Sequence, residues 1–143
     1  MKMPNGTIKS IYVHWDSYPE GVGKMLKKHY NDPKKIEELL ELGDISVLGT
    51  FYDEELAKEN WEKQYDKEWR ESEKGKKASE MTLPYKDRGE TEVEARIDDN
   101  EQEYIAKAGK CWEDYTYLYA ENYNGVYEWQ VMETPYFKTL EIK

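Results

Sequence analysis

Two of the side chains best suited to proton or metal chemistry, His14 and Asp16, lie two residues apart in the run TIKSIYVHWD at 7–16. Alternation there puts Ile11, Val13 and Trp15 on one face of a strand and Tyr12, His14 and Asp16 on the other, so imidazole and carboxylate point the same way. A second group, Asp87, Arg88 and Glu90, follows in YKDRGE at 85–90. An imidazole with several carboxylates could ligate a metal or move protons on a substrate. Each residue also has a structural use. Asp16 stands ahead of Tyr18-Pro19, where it is expected to cap a turn; His14 can bond to Asp16, and Arg88 can pair with a carboxylate. We take these structural uses as the stronger reading and expect no catalytic residue, no metal and no cofactor. His29 shares a helical face with Val22, Met25 and Leu26, which makes it a core-edge histidine. Cys111 lies between Lys110 and Trp112 with no histidine near it in sequence, and reads as a small buried hydrophobe. Gly21-Val22-Gly23-Lys24 has the glycines and lysine of a phosphate loop without the spacing.

The elements that must position these groups are punctuated clearly in places. Val22, Met25, Leu26 and His29 predict a helix over 20–30, weakened by Gly21 and Gly23 unless another backbone must come close. Asp32-Pro33 is a helix start, Ile36, Leu39 and Leu40 a buried stripe, and Gly43 a stop, predicting a second helix over 33–42. The span 53–72, free of Gly and Pro, predicts one long helix with Ala57, Trp61, Tyr65 and Trp69 at spacing four. Residues 73–80 read as a linker or helix end, and 100–108 as a short helix ending near Gly109.

Strands are expected at 7–16, at 81–86 with Pro84 interrupting, and at 91–97, where Val93, Ala95 and Ile97 alternate with Glu92, Glu94 and Arg96. Asn124-Gly125 marks a hairpin between 115–123 and 126–132, with a two-residue turn pairing Tyr123 with Val126 and Tyr119 with Gln130. TPYFKTLEIK adds a last strand, and Asn5-Gly6 allows only a stubby hairpin at the start. The pattern predicts an α+β fold, one domain over 1–143, with an antiparallel sheet and the helices on one face.

Charge and aromatics narrow the partners. The net charge is −10, yet the first 52 residues sum to zero, while 87–103 holds eight acids against two bases. Such a field disfavours direct nucleic-acid binding and favours a basic protein surface. Thirteen Tyr and five Trp against two Phe select the rings that serve at interfaces. Glu90, Glu92, Glu94, Asp98 and Asp99 are the acidic candidates. Trp61, Tyr65 and Trp69 are aromatic candidates, although a single stripe more often docks a helix on its own core. The single cysteine rules out an intrachain disulfide and fits a reducing cytoplasm. No apolar run approaches a membrane span. A homo-oligomer is compatible with the aromatic content.

The run from His14 to Gly49 and the later Tyr85-Lys86-Asp87-Arg88-Gly89-Glu90 resemble a family of small proteins in bacteriophage and prophage genomes. Its members carry a motif close to C-H-W-D-G-Y, a glycine-containing helix ending in H-Y, a D-P helix start, L-G-D-I-S-x-L-G and Y-x-R-D-R-G-E. The match spans about a third of the chain. Ser17 takes the glycine place, the first strand is nearly absent, and the Trp-rich 53–72 segment is an addition. The resemblance transfers no activity. It implies a phage setting, acting in the host cytoplasm, where small acidic proteins often inhibit host defence. The expectation is therefore a stoichiometric anti-CRISPR or anti-restriction inhibitor, in part a nucleic-acid mimic, bound to a basic surface of a host defence complex. A second class is a binder that sequesters a nucleotide signal, with Arg88 and Lys24 on phosphates, Trp15 or Tyr85 stacking on a base, and His14 and Asp16 beside them. A small hydrolase using the His14, Asp16 and Glu90 groups ranks below both.

Overall fold

A computed structural model describes residues 1–108, 115–133 and 136–141. The chain is α+β, and every ladder between its named strands is antiparallel. The strands divide among three small sheets instead of forming one. β1 (Ile8–Ser10) pairs with β4 (Arg96–Asp98), and β2 (Ile45–Val47) pairs with β3 (Leu83–Pro84). β5 (Tyr117–Glu121), β6 (Tyr127–Glu133) and β7 (Tyr136–Thr139) form a meander. β2 was not visible as a strand in the alternation pattern, because ISV is short and two of its three residues are buried.

The division has local causes. The strand expected over 7–16 stops at Ser10, because the Tyr12 amide bonds the Asp44 side chain, not a ladder carbonyl. The 81–86 strand ends at Pro84 and turns into a 3₁₀ segment, Tyr85–Arg88. The 91–97 strand survives only at its end, since Glu92 adopts a left-handed backbone with φ 60° ahead of the ladder.

Helix punctuation held better. A π-helical turn, Pro19–Gly23, leads into α1 (Lys24–His29), and α2 (Pro33–Glu41) starts on Asp32, whose carboxylate accepts the Lys34 N–H at 3.0 Å. The close backbone approach that would call for a glycine here is found at Gly21, where a Cβ would lie 2.4 Å from the Asp16 carbonyl oxygen; at Gly23 the nearest atoms belong to the Tyr117 side chain, at 3.3 Å. The long 53–72 helix breaks into α3 (Glu54–Lys63), α4 (Lys67–Glu71) and α5 (Glu73–Ala78). Asp66 and Ser72 cap new starts by accepting the Glu68 and Gly75 amides, and capping here outweighs propensity. α6 (Glu101–Ala108) lies where expected, and its end at Gly109 falls outside the described residues, as do Cys111 and its neighbours.

The hairpin differs in register by one residue. Tyr119 faces Trp129 and Glu121 faces Tyr127, so the loop has three residues, Tyr123–Gly125, closed by the Asn122 N–H on the Val126 carbonyl. Gly125 takes φ 75°, and Asn122 Oδ1 accepts the amides of Asn124 and Val126. A type I turn followed by a left-handed glycine is the usual three-residue solution, and the Asn122 side chain selects it over the two-residue turn.

The main core joins Val22, Leu26, Tyr30, Ile36, Leu39, Leu40, Ile45 and Leu48 with Tyr119, Trp129, Val131 and Leu140. A second cluster gathers Ala57, Trp69, Ala78, Met81 and Leu83. Among the described residues no helix is long and apolar enough to cross a membrane.

Candidate functional site

β2 is the seam on which the two motif-bearing segments meet. On one side His14 N–H donates to the Ile45 carbonyl (3.1 Å) and Trp15 N–H to that of Ser46 (3.0 Å). On the other, β3 pairs with β2, and Tyr85 N–H donates to the Asp44 carbonyl (3.1 Å). Asp44, just ahead of β2, is the residue that sequence reasoning missed. It is buried, and its carboxylate takes the Tyr12 amide at 2.8 Å and both Arg96 nitrogens at 2.8 and 2.6 Å. Its own N–H donates to the Val93 carbonyl at 2.7 Å. An acid placed between a helix-stop glycine and the β-branched run ISV was the available signal, since a charge about to enter a buried strand must be partnered.

The loop that starts at Tyr12 is held by its backbone and open in its side chains. Asp16 has φ 57°, its carbonyl accepts the Val22 N–H at 2.8 Å, and Tyr117 Oη donates to the Ser17 carbonyl at 2.7 Å. Burial holds the Tyr117 phenol above its ordinary pKa, which keeps it a donor across physiological pH. Outward stand Tyr12, Trp15 and Tyr18, with Trp15 57% exposed. His14 is exposed beside them; its Nδ1 lies 3.1 Å from Tyr12 Oη, and its ring meets Trp15 edge to face. The Asp16 carboxylate accepts Tyr18 Oη at 3.1 Å, raising that phenol's pKa. The expected side-chain cap is absent. Tyr18 is the N-cap residue and makes no side-chain capping bond, and Asp16 serves the turn through its main-chain oxygen.

Sequence proposed that His14, Asp16, Arg88 and Tyr85 share one site. They form two groups on opposite sides of β2, and among the described residues no hydrogen bond, ion pair or ring contact joins them. Tyr85 stacks on Trp61 with centroids 6.0 Å apart, and Arg88 lies over both rings at 5.0 and 4.8 Å. Arg88 Nη2 donates to Glu90 at 2.8 Å, the carboxylate pairing expected of it, and that pairing raises its pKa. Asp87 is buried and accepts Tyr52 Oη at 2.6 Å. Burial, and then this carboxylate, push the Tyr52 phenol far up. Among the described residues no three His, Cys, Asp or Glu side chains converge as a metal site requires.

The other candidates separate in the same way. Trp69 is buried, with its indole N–H on Asn60 Oδ1 at 2.9 Å, and Trp61 donates to the Pro84 carbonyl at 3.0 Å, so both belong to the interior side of the stripe. Tyr65, in the break between α3 and α4, is 88% exposed and leaves that stripe. Of the acids, Glu90, Glu92, Glu94 and Asp99 are exposed. Asp98 is not: it is 3% exposed, with Lys107 Nζ 2.5 Å from its Oδ1, so it is removed from the acidic surface.

A cleft of about 320 Å³ opens between the loop and α1. Trp15 and Asp16 line one side, Lys24, Met25, Lys28 and His29 the other, with Val22, Val47 and Leu48 also contributing. Trp15 and Lys24 therefore meet at one site, whereas Arg88 and Tyr85 do not line it. No family model, curated protein or solved structure matches the chain.

Proposed function

We propose that the protein is a stoichiometric binding protein of the inhibitor type, which engages a basic protein surface with the Tyr12–Tyr18 loop as its anchor and the acidic 90–94 segment beside it. The supporting observation is the double use of Asp44. Its side chain fixes Tyr12 and its amide fixes Val93, so three exposed aromatic rings and the carboxylates of Glu90, Glu92 and Glu94 are held on one rigid support. Large rings presented from a hydrogen-bonded backbone lose little entropy on binding, and they are the residue types that dominate interface energies. Carboxylates around them speed and orient encounter with a cationic partner.

The partner that fits this chemistry is a nucleic-acid-binding groove of a host nucleic-acid-processing complex. The biological setting is anti-defence action by a phage, against a CRISPR effector or a restriction enzyme, within the host cytoplasm. The test is binding to such purified complexes at several salt concentrations. Glu90→Lys, Glu92→Lys, Glu94→Lys and Asp99→Lys together are expected to weaken binding and flatten its salt dependence, with the fold intact because all four sites are exposed. Unchanged affinity and salt slope would overturn the acidic-surface reading. Inhibition should stop below one copy per target. Time-dependent inactivation at substoichiometric amounts would overturn the binder reading in favour of an enzyme.

A further inference from the structure

We propose that the cleft between the Trp15 loop and α1 is a binding site for a nucleoside monophosphate or a molecule of that size and chemistry. This goes beyond the protein-binding surface: it shares the Trp15 end of the loop with that surface and adds residues of α1 that the surface does not use. Three features of the cleft point the same way. Its volume, about 320 Å³, is at the small end of ligand pockets and suits one nucleotide. Its wall includes an indole that is 57% exposed, although the backbone of Trp15 is fixed on β2 by the bond to Ser46. An exposed indole carried on a fixed backbone is a stacking platform for a flat heterocycle, and Val22, Met25, Val47 and Leu48 supply apolar lining for the ring.

The third feature is charge. Lys24 and Lys28 are one helical turn apart on α1, both exposed and both lining the cleft. Neither has an ion-pair or hydrogen-bond partner among the described residues, in a chain where acids outnumber bases 31 to 21. Two unpaired ammonium groups a turn apart match a phosphate, which accepts from both. Asp16 and Glu20 also line the cleft and are acceptors for the N–H donors of a base, while Lys24 and Lys28 are the donors for the phosphate. A net charge of −10 opposes entry of a long polyanion, so the ligand is a free nucleotide and not a nucleic-acid strand.

The test uses the full chain. Isothermal titration and thermal shift are run with 5′-AMP, 5′-GMP and 5′-UMP, with adenosine and inorganic phosphate as fragments, and with a ten-nucleotide thymidine strand. At least one mononucleotide is expected to bind more tightly than either fragment and more tightly than the strand. In Trp15→Ala and in Lys24→Ala/Lys28→Ala, whose altered side chains are exposed, affinity should fall at least about tenfold, the size of one lost charge-assisted or stacking contact. Unaltered circular dichroism and melting in buffer would establish that both variants are folded. Three results would overturn the proposal: no binding of any mononucleotide at millimolar concentration, equal binding by folded variants, or tighter binding of the strand. Nucleotide binding and partner binding fail separately, because the lysine variant leaves the acidic 90–94 segment untouched and the charge-reversal variant leaves the cleft untouched.

Discussion

Replacing Asp44 by alanine should do more damage than any other single change to a charged side chain around the loop, and the size can be worked out from its contacts. The carboxylate takes one main-chain donor, the Tyr12 N–H at 2.8 Å, and two guanidinium donors from Arg96. A bond from an amide to an ionised acceptor contributes about 1.5–3 kcal/mol when its loss leaves the donor unsatisfied. The Arg96 side chain is 52% exposed, so solvent screens the ion pair and it adds only about 0.5 kcal/mol. Asp44→Ala is therefore expected to cost about 2–3.5 kcal/mol, and Asp44→Asn, which keeps an acceptor for Tyr12, about 1 kcal/mol. Urea unfolding checks both, read as a fall in midpoint at constant slope. Hydrogen exchange at Tyr12, His14 and Trp15 should quicken in the alanine variant before exchange in the β5–β6 hairpin does. A loss under about 0.5 kcal/mol, or an Arg96→Ala variant as unstable as Asp44→Ala, would refute the assignment of Asp44 as the anchor of the loop amide.

Three further outcomes follow from geometry. Gly21→Ala puts a Cβ 2.4 Å from the Asp16 carbonyl and should cost about 1–3 kcal/mol, with the Trp15 fluorescence environment changed in the folded protein. Trp69→Ala should cost about 3–5 kcal/mol in chemical unfolding, whereas Tyr65→Ala should stay within about 0.5 kcal/mol; equal effects would overturn the assignment of one ring to the core and the other to solvent. In a chain prepared with a free amine at Met1, burial lowers that group from its ordinary value of 8.0 to about 5. The unfolded chain then binds the extra proton between those values, so this group's contribution to stability is complete above pH 8 and is lost as pH falls toward 5. An NMR titration of ¹⁵N-labelled Met1 giving a value near 8 would refute the burial.

What was legible in the sequence was local. Asp32-Pro33 with Gly43 delimited a helix because cap chemistry lies within one turn, and Asn124-Gly125 located the hairpin because a turn is four residues long. The same locality explains the one-residue error there: Asn122, outside the turn dipeptide, decided the loop length through its side chain. The break of the 53–72 helix was encoded in Asp66 and Ser72, yet a cap residue within a helical pattern competes with propensity. Only the packing of Trp69 against Asn60 and Ala78 decides the outcome. The site itself was not legible. Alternation placed His14 and Asp16 on one strand face, but the strand had already ended, because an acid 32 residues away claims the Tyr12 amide. Contacts at that separation leave no periodic trace.

The two proposed sites share one aromatic ring, that of Trp15, and that shapes how they can be told apart. Trp15→Ala removes both an anchor of the exposed loop and the stacking wall of the cleft, so its loss of function would not assign either role. The discriminating changes lie at the two edges. Glu90, Glu92 and Glu94 approach the loop through Val93 and Asp44, whereas Lys24 and Lys28 stand on α1 across the cleft. If a partner binds through the rings while a nucleotide stacks on the same indole, the two ligands should compete. Saturating 5′-nucleotide would then raise the apparent dissociation constant for the partner, and by linkage the partner would weaken the nucleotide by the same factor. Lys24→Ala/Lys28→Ala should abolish that competition and leave partner affinity in buffer alone unchanged. Simultaneous binding without mutual effect would mean that Trp15 belongs to one of the two surfaces only, and the lysine and acid variants would then say which.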